Sequence, residues 1–292
     1  MPYIYLLCAI TSSALLAICG MLFNRKNNHR EDLGHIYNLI GACGNFTTWV
    51  IVFLCSPTYD LSVLPYAGLY GISYALFWVG LTGALQCGSS ALTGFIKQIA
   101  FVFVAIWGLL FWGSPVTSTV VLGIVLIAAA LYLTLVPIGK KNKPKNTAIS
   151  GKWLSYSALV LVGNAGCSII QKTQQRNFDG MHGSFLMVVA TFIAVIFCAS
   201  MCIKDDKSGW KQALKGSWFL PIIAGSSSAI CNLFLILLAS TDMSPSLIYP
   251  ALAIGGLALT TLVSTVICKD KLRLLQWAGL LVGAVALFCL NV

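Results

Sequence analysis

Apolar residues run through this chain in blocks of about twenty, separated by short polar punctuation. The blocks lie at roughly 3–23, 35–54, 64–85, 89–112, 116–137, 153–173, 184–203, 217–239, 245–268 and 273–291. A helix needs about 20 apolar residues to cross a hydrocarbon core of about 30 Å, and these blocks have that length. The pattern therefore predicts an all-α membrane protein of ten transmembrane helices. Turn and cap residues stand between the blocks, as at Ser56-Pro57, Gly113-Ser114-Pro115 and Ser244-Pro245. The longest polar interruption is basic, Gly139-Lys140-Lys141-Asn142-Lys143-Pro144-Lys145. It divides the chain into a first five-helix unit over 1–139, a linker over 140–151 and a second five-helix unit over 152–292.

The two units share a layout. Shifting residues 77–135 by 156 positions lays the fourth span on the ninth and the fifth on the tenth without a gap. Ser90 then meets Ser246, Gly123 meets Gly279, Ala128 meets Ala284, Ala130 meets Ala286 and Leu131 meets Leu287. Identities in such apolar sequence carry less than the matched spacing of spans and turns. With five spans in each half, a repeat must be inverted across the membrane, a common construction among transporters.

Composition agrees with the block pattern. Charged residues make up 9 %, hydrophobic residues 58 %, and the mean hydropathy is +0.88, against about 25 % charged residues in a soluble domain. The net charge of +10 does not describe a nucleic-acid binder, because the basic residues sit in short tethers rather than in a solvated patch. They are also strongly asymmetric. Arg25, Lys26, Arg30, the linker lysines with Lys152, Lys204 to Lys215 and Lys269 to Arg273 place fifteen Lys/Arg on one side, against Lys172 and Arg176 on the other. The positive-inside rule then sets both termini outside the cytoplasm, in a multi-pass protein of the cell's inner (plasma) membrane. Met1-Pro2-Tyr3 lacks the basic start of a cleavable signal peptide, so the first block is read as a span. Eleven cysteines, among them Cys19, Cys43, Cys167, Cys231 and Cys289, lie mostly inside apolar blocks without a C-x-x-C pair. They read as small hydrophobes rather than as a disulfide framework. Gly255-Gly256 and the Gly279–Gly283 run suit close helix packing.

Polar groups at membrane depth are costly and face a bundle interior or a cavity. The sixth span carries Asn164, Ser168, Gln171 and Gln175, spaced four, three and four apart and so on one helical face, with Lys172 at its edge. Such a stripe marks a water-accessible pathway; the alternative is hydrogen bonding between helices. The third span sets Tyr66, Tyr70, Tyr74 and Trp78 along one side, either lining a pocket or packed as core. Weaker candidates are Asn45, Thr48 and Trp49, then Ser228 and Asn232, and finally Tyr249 beside Pro250, which removes a backbone donor. Lys97 stands apart, about nine residues into the fourth span. An ionised Lys near a span's centre costs about 2.5–3.5 kcal/mol, and none of the eight acidic residues lies deep in a span. A solute anion, water or loss of the proton would offset that cost; snorkelling to the interface is the plainer alternative. Lys97, Asn164, Ser168, Gln171, Tyr74, Trp78, Tyr249, Asn232 and Asn45 form the expected solute site.

Ten short spans in two halves, minimal loops and a basic mid-chain linker resemble the drug/metabolite transporter superfamily, in its EamA-like branch. The segment from Ser90 through Gly113-Ser114-Pro115 to Gly123 is similar to that family's fourth and fifth helices. It departs at two points. Gly94 stands where a Pro is usual, retained only as Pro250 in the second half, and the turn reads Gly113-Ser114 without the usual acid. The resemblance implies alternating access through a central cavity between the halves, with amino acids, sugars, nucleosides, nucleotide sugars or phosphorylated sugars as substrates. It also implies cytoplasmic termini, opposite to the charge count.

These readings converge on a transporter of a small polar metabolite, with a carboxylate- or phosphate-bearing solute favoured by Lys97 and neutral sugars or nucleosides as the alternative. An enzyme would need intramembrane His, Asp or Glu clusters, and His29, His35 and His182 all lie at span ends. A channel would need a filter motif or an oligomeric pore; a non-transporting sensor is the remaining option. The expected partners are the solute and the lipid bilayer, with no cofactor, no metal and no nucleic acid, in a monomer or weak homodimer.

Overall fold

The computed structural model describes residues 2–27, 33–88, 90–111, 118–135, 150–203, 210, 215–239, 252, 255–256, 258–259, 262–263, 265–266 and 274–289. The described residues form helices joined by turns and short loops, with no strand among them. Its helices are α1 (Pro2–Lys26), α2 (Gly34–Cys55), α3 (Leu64–Cys87), α4 (Ser90–Phe111), α5 (Ser118–Leu135), α6 (Gly151–Asn177), α7 (Gly183–Cys202), α8 (Phe219–Ala239) and α9 (Leu274–Cys289). α9 occupies the tenth predicted block, and the described residues within 252–266 are helical too. Six helical segments among the described residues are long and apolar enough to cross a membrane: Pro2–Lys26, Gly34–Cys55, Leu61–Cys87, Gly151–Asn177, Gly183–Cys202 and Phe219–Leu238. Large apolar side chains such as Ile51, Leu54, Ile72, Phe192, Ile196 and Leu281 face outwards. Only a lipid solvent suits that surface. Helices satisfy their own backbone groups there, as a hydrocarbon environment requires. The protein is an all-helical, membrane-embedded protein.

Local chemistry sets the helix ends. Asp60 caps a 3₁₀ turn at Leu61–Val63, its carboxylate accepting from the Ser62 N–H at 2.9 Å and the Ser62 hydroxyl at 2.7 Å. α3 then begins with Pro65 in its first turn, where a missing N–H costs nothing. Ser150 caps α6 by accepting from the Trp153 N–H at 3.1 Å. α6 continues to Asn177, four residues past the predicted block, and turns sharply into α7. Asp179, Gly180 and His182 take left-handed φ values of 49°, 77° and 61°, which Gly adopts without strain and Asp and His adopt more readily than most. The Gln174 side chain holds that turn by donating to the Met181 carbonyl at 2.8 Å.

Close helix contacts are made where side chains are absent. α3 packs on α6 where a Cβ on Gly163 would come within 2.5 Å of the Phe77 backbone nitrogen. α2 packs on α8 where a Cβ on Gly225 would lie 1.9 Å from the Gly41 carbonyl oxygen. Lipid tails supply no hydrophobic drive between helices, so such backbone approach is how they gain van der Waals contact. α1 packs against α8, α2 and α3 each against α7, α4 against α6, and α5 against α9. One buried cluster centred on Trp49, Tyr70, Tyr74, Trp78, Leu186 and Met187 joins α2, α3 and α7. A separate cluster of Ile99, Ile127, Ala130, Leu280 and Ala286 joins α4, α5 and α9.

Candidate functional site

Between α1, α3, α4, α6 and α8 lies a cavity of about 90 Å³. One water needs about 10–15 Å³ on this measure, so the space admits several waters or the polar part of a small solute. α6 supplies more of the wall than any other helix. Its stripe Asn164, Ser168, Gln171 and Gln175 lines the cavity along its length, as does Lys172, whereas Gln174, off the stripe, is buried in the α6–α7 turn.

The stripe proves to be both wall and glue. Asn164 donates to the main-chain carbonyl of Lys97 at 2.9 Å, tying α6 to α4. The Ser168 hydroxyl donates back to the Asn164 carbonyl at 3.0 Å, which leaves its lone pairs for the cavity. On α8, Asn232 donates to the Ser228 carbonyl at 3.0 Å and lines the same space.

Lys97 reaches the cavity from α4, the one described α4 residue that lines it. Its Nζ donates to the Ser13 hydroxyl at 3.2 Å and stands 5.9 Å from the centre of the Phe77 ring, a cation–π distance. A neutral hydroxyl and a ring face stabilise an ammonium less than a carboxylate would. Among the described residues no acidic side chain lines the cavity.

Tyr74 forms the inner wall with Tyr70, their rings stacked at 6.1 Å. The Tyr74 hydroxyl accepts from the Asn45 amide and donates to the Ser228 hydroxyl at 3.0 Å. That chain links α2, α3 and α8 behind the cavity. Asn45 and Trp78, grouped with the site from sequence, do not line the cavity: Asn45 is fully buried behind Tyr74, and Trp78 packs edge-on to the Tyr74 ring at 6.1 Å. Both hold Tyr74 in place. Tyr249 and Pro250 fall outside the described residues.

Sequence reasoning left several lining residues out of the site: Ser13, Tyr70, Phe77, Cys167, Ser228 and Cys231. Ser13 sits in a Thr11-Ser12-Ser13 run whose members look alike in sequence, yet Thr11 bonds its own helix at 2.9 Å and only Ser13 turns to Lys97. Among the described residues no group of His, Cys, Asp or Glu is placed to hold a metal ion.

No family model and no curated protein matches this chain. A solved structure described as "Crystal structure of protein" aligns with it at a TM-score of 0.62 and 14 % identity, covering 96 % of this chain and 94 % of that one. The likeness is therefore one of fold, and it extends over nearly the full length of both chains.

Proposed function

We propose that this protein is a transporter that moves a small polar metabolite, carrying a carboxylate or phosphate group, across the membrane by alternating access. The observation that carries this reading is the cavity. A lysine, amides and hydroxyls converge on one space inside a bundle of apolar helices, and none of the described acidic residues lines it. A polar site so costly to build in lipid marks a solute or ion pathway by default.

The same reading takes the chain as ten spans in two inverted five-helix halves. Helix packing supports it. Exchanging α1 with α6, α2 with α7 and α3 with α8 turns the α1–α8 contact into α6–α3 and the α2–α8 contact into α7–α3. Under the same exchange α4 on α6 becomes the 252–266 segment on α1, and a Cβ on Gly255 would lie 2.8 Å from the Ile10 side chain. Ala130 and Ala286, paired by the 156-residue shift, are both fully buried in the α5–α9 cluster. Contacts at the helix ends pair too: Lys26 and Asn27 at the end of α1 bond Gly216 and Ser217 before α8, and Asn177 at the end of α6 donates to Tyr66 of α3 at 2.7 Å. This layout is that of the drug/metabolite transporter resemblance.

Uptake into proteoliposomes tests the function directly. Purified protein is reconstituted, and flux of radiolabelled organic acids and organic phosphates is compared with that of sugars and nucleosides. Saturable flux of an anionic solute, lost in Lys97→Met, is expected. A Lys97→Met protein with unaltered flux and selectivity would return the choice to neutral sugars or nucleosides, and absence of flux for every class would overturn the transporter reading.

A further inference from the structure

Among the described residues that line the cavity, the charged ones are lysines, and the other polar groups are neutral hydroxyls, amides and thiols. The described acidic residues, Asp60 and Asp179, sit at the entry to α3 and in the α6–α7 turn, and neither lines the cavity. The Lys97 ammonium meets the Ser13 hydroxyl at 3.2 Å and the Phe77 ring at 5.9 Å. Both of those partners are neutral. A carboxylate placed beside Lys97 therefore makes a neutral pair with it. A zwitterion brings an ammonium along with its carboxylate, so one net positive charge stays beside Lys97, and the low dielectric of the bundle enlarges the repulsion. The Phe77 ring face, which could otherwise hold a solute ammonium, already meets Lys97.

The neutral part of the wall suits hydroxyl groups. Ser168 gives its own proton to the Asn164 carbonyl at 3.0 Å, which leaves its oxygen as an acceptor. Gln171, three residues further along the stripe, offers an amide that both donates and accepts. A solute hydroxyl does both as well and carries no charge. Asn164 is bonded to the Lys97 main chain at 2.9 Å and stands seven residues before Gln171. At about 1.5 Å per residue, that stretch is long enough for a chain of several hydroxylated carbons. We propose that the cavity selects hydroxy acids over amino acids, with the carboxylate on Lys97 and the hydroxyls along Ser168 and Gln171. The inference rests on reading the cavity as a solute site, and it names the class of solute.

Equilibrium binding in detergent tests it apart from transport. Isothermal titration of purified protein is run with two matched pairs, glycerate with serine and gluconate with 2-amino-2-deoxygluconate. Within each pair one hydroxyl is replaced by an ammonium and nothing else changes. At least one hydroxy acid is expected to bind about tenfold or more tightly than its amino partner, the size of one charge-assisted contact. Lys97→Met, checked for folding by monodisperse elution, is expected to weaken that hydroxy acid about tenfold or more. The preference itself is read in the wild-type protein, so it stands or falls without the variant. Amino partners binding as tightly as both hydroxy acids, no binding of either hydroxy acid, or unchanged affinity in a folded Lys97→Met protein would each overturn the proposal. The preference without flux in proteoliposomes would overturn transport and leave the hydroxy-acid site standing. Saturable amino-acid flux that depends on Lys97, with no such preference, would do the reverse.

Discussion

Asn164 donates its side-chain amide to the main-chain carbonyl of Lys97 at 2.9 Å. This one bond fixes α6, which carries the polar stripe, against α4 at the level where the deep cation enters the cavity. An interhelical bond in lipid contributes about 0.6 kcal/mol on average and up to about 1.7 kcal/mol. Asn164→Ala is expected to lower stability by about 1 kcal/mol and to weaken anion binding by loosening Lys97. Unfolding in detergent measures the first effect and titration the second. Binding left intact alongside reduced stability would confine Asn164 to packing.

Water access along α6 follows the stripe. On a background lacking the native cysteines, Cys167 and Cys231 of the cavity wall included, single cysteines at 168, 171 and 175 are expected to react with a small polar thiol reagent. Cysteine in place of outward-facing Val162 or buried Gln174 is expected to react slowly. Equal labelling at 162 and 171 would contradict a cavity lined by one face.

Backbone approach makes some glycines irreplaceable. A Cβ on Gly163 would sit 2.5 Å from the Phe77 nitrogen, whereas one on Gly68 meets nothing within 4 Å. Gly163→Val is expected to cost about 3 kcal/mol or more, seen as loss of monodisperse protein, and Gly68→Ala to be tolerated. A well-folded Gly163→Val protein would require α3 and α6 to pack otherwise.

Acid sensitivity arises outside the membrane, at the entry to α3. The Ser62 hydroxyl, then the Ser62 N–H, hold the Asp60 carboxyl below the usual carboxylate range. A carboxyl depressed in the folded state stabilises it above its unfolded value, and that contribution is lost as pH falls through the depressed one. The wild-type melting temperature should therefore fall more steeply than that of Asp60→Asn as the pH drops below about 4. Parallel acid limbs in the two proteins would show that the cap contributes nothing.

Topology is set by charge. With fifteen Lys/Arg against two on alternate sides, a C-terminal tag on intact cells is expected to be open to external protease. A tag cut only after lysis would reverse the orientation and agree with the family resemblance instead of the positive-inside rule.

Composition and periodicity by themselves determined that this chain is helical and lives in lipid, because block length against bilayer thickness is a one-dimensional property. The α6 stripe was legible for the same reason: residues three and four apart share a face on any helix. Lys97 was conspicuous because a charge among apolar residues is costly wherever its helix packs. Only tertiary structure decided what those faces meet. Ser13 and Thr11 are alike in sequence, yet one turns to Lys97 and the other to its own backbone. Asn45 and Tyr74 were both candidates for the site, and packing put one behind the other. Lys172, counted at first among the charges that set orientation, lines the same cavity as Lys97 because α6 lies against α4. Which side chains become neighbours depends on contacts between helices distant in sequence, set by glycine-sized gaps and side-chain shape. No local pattern encodes them.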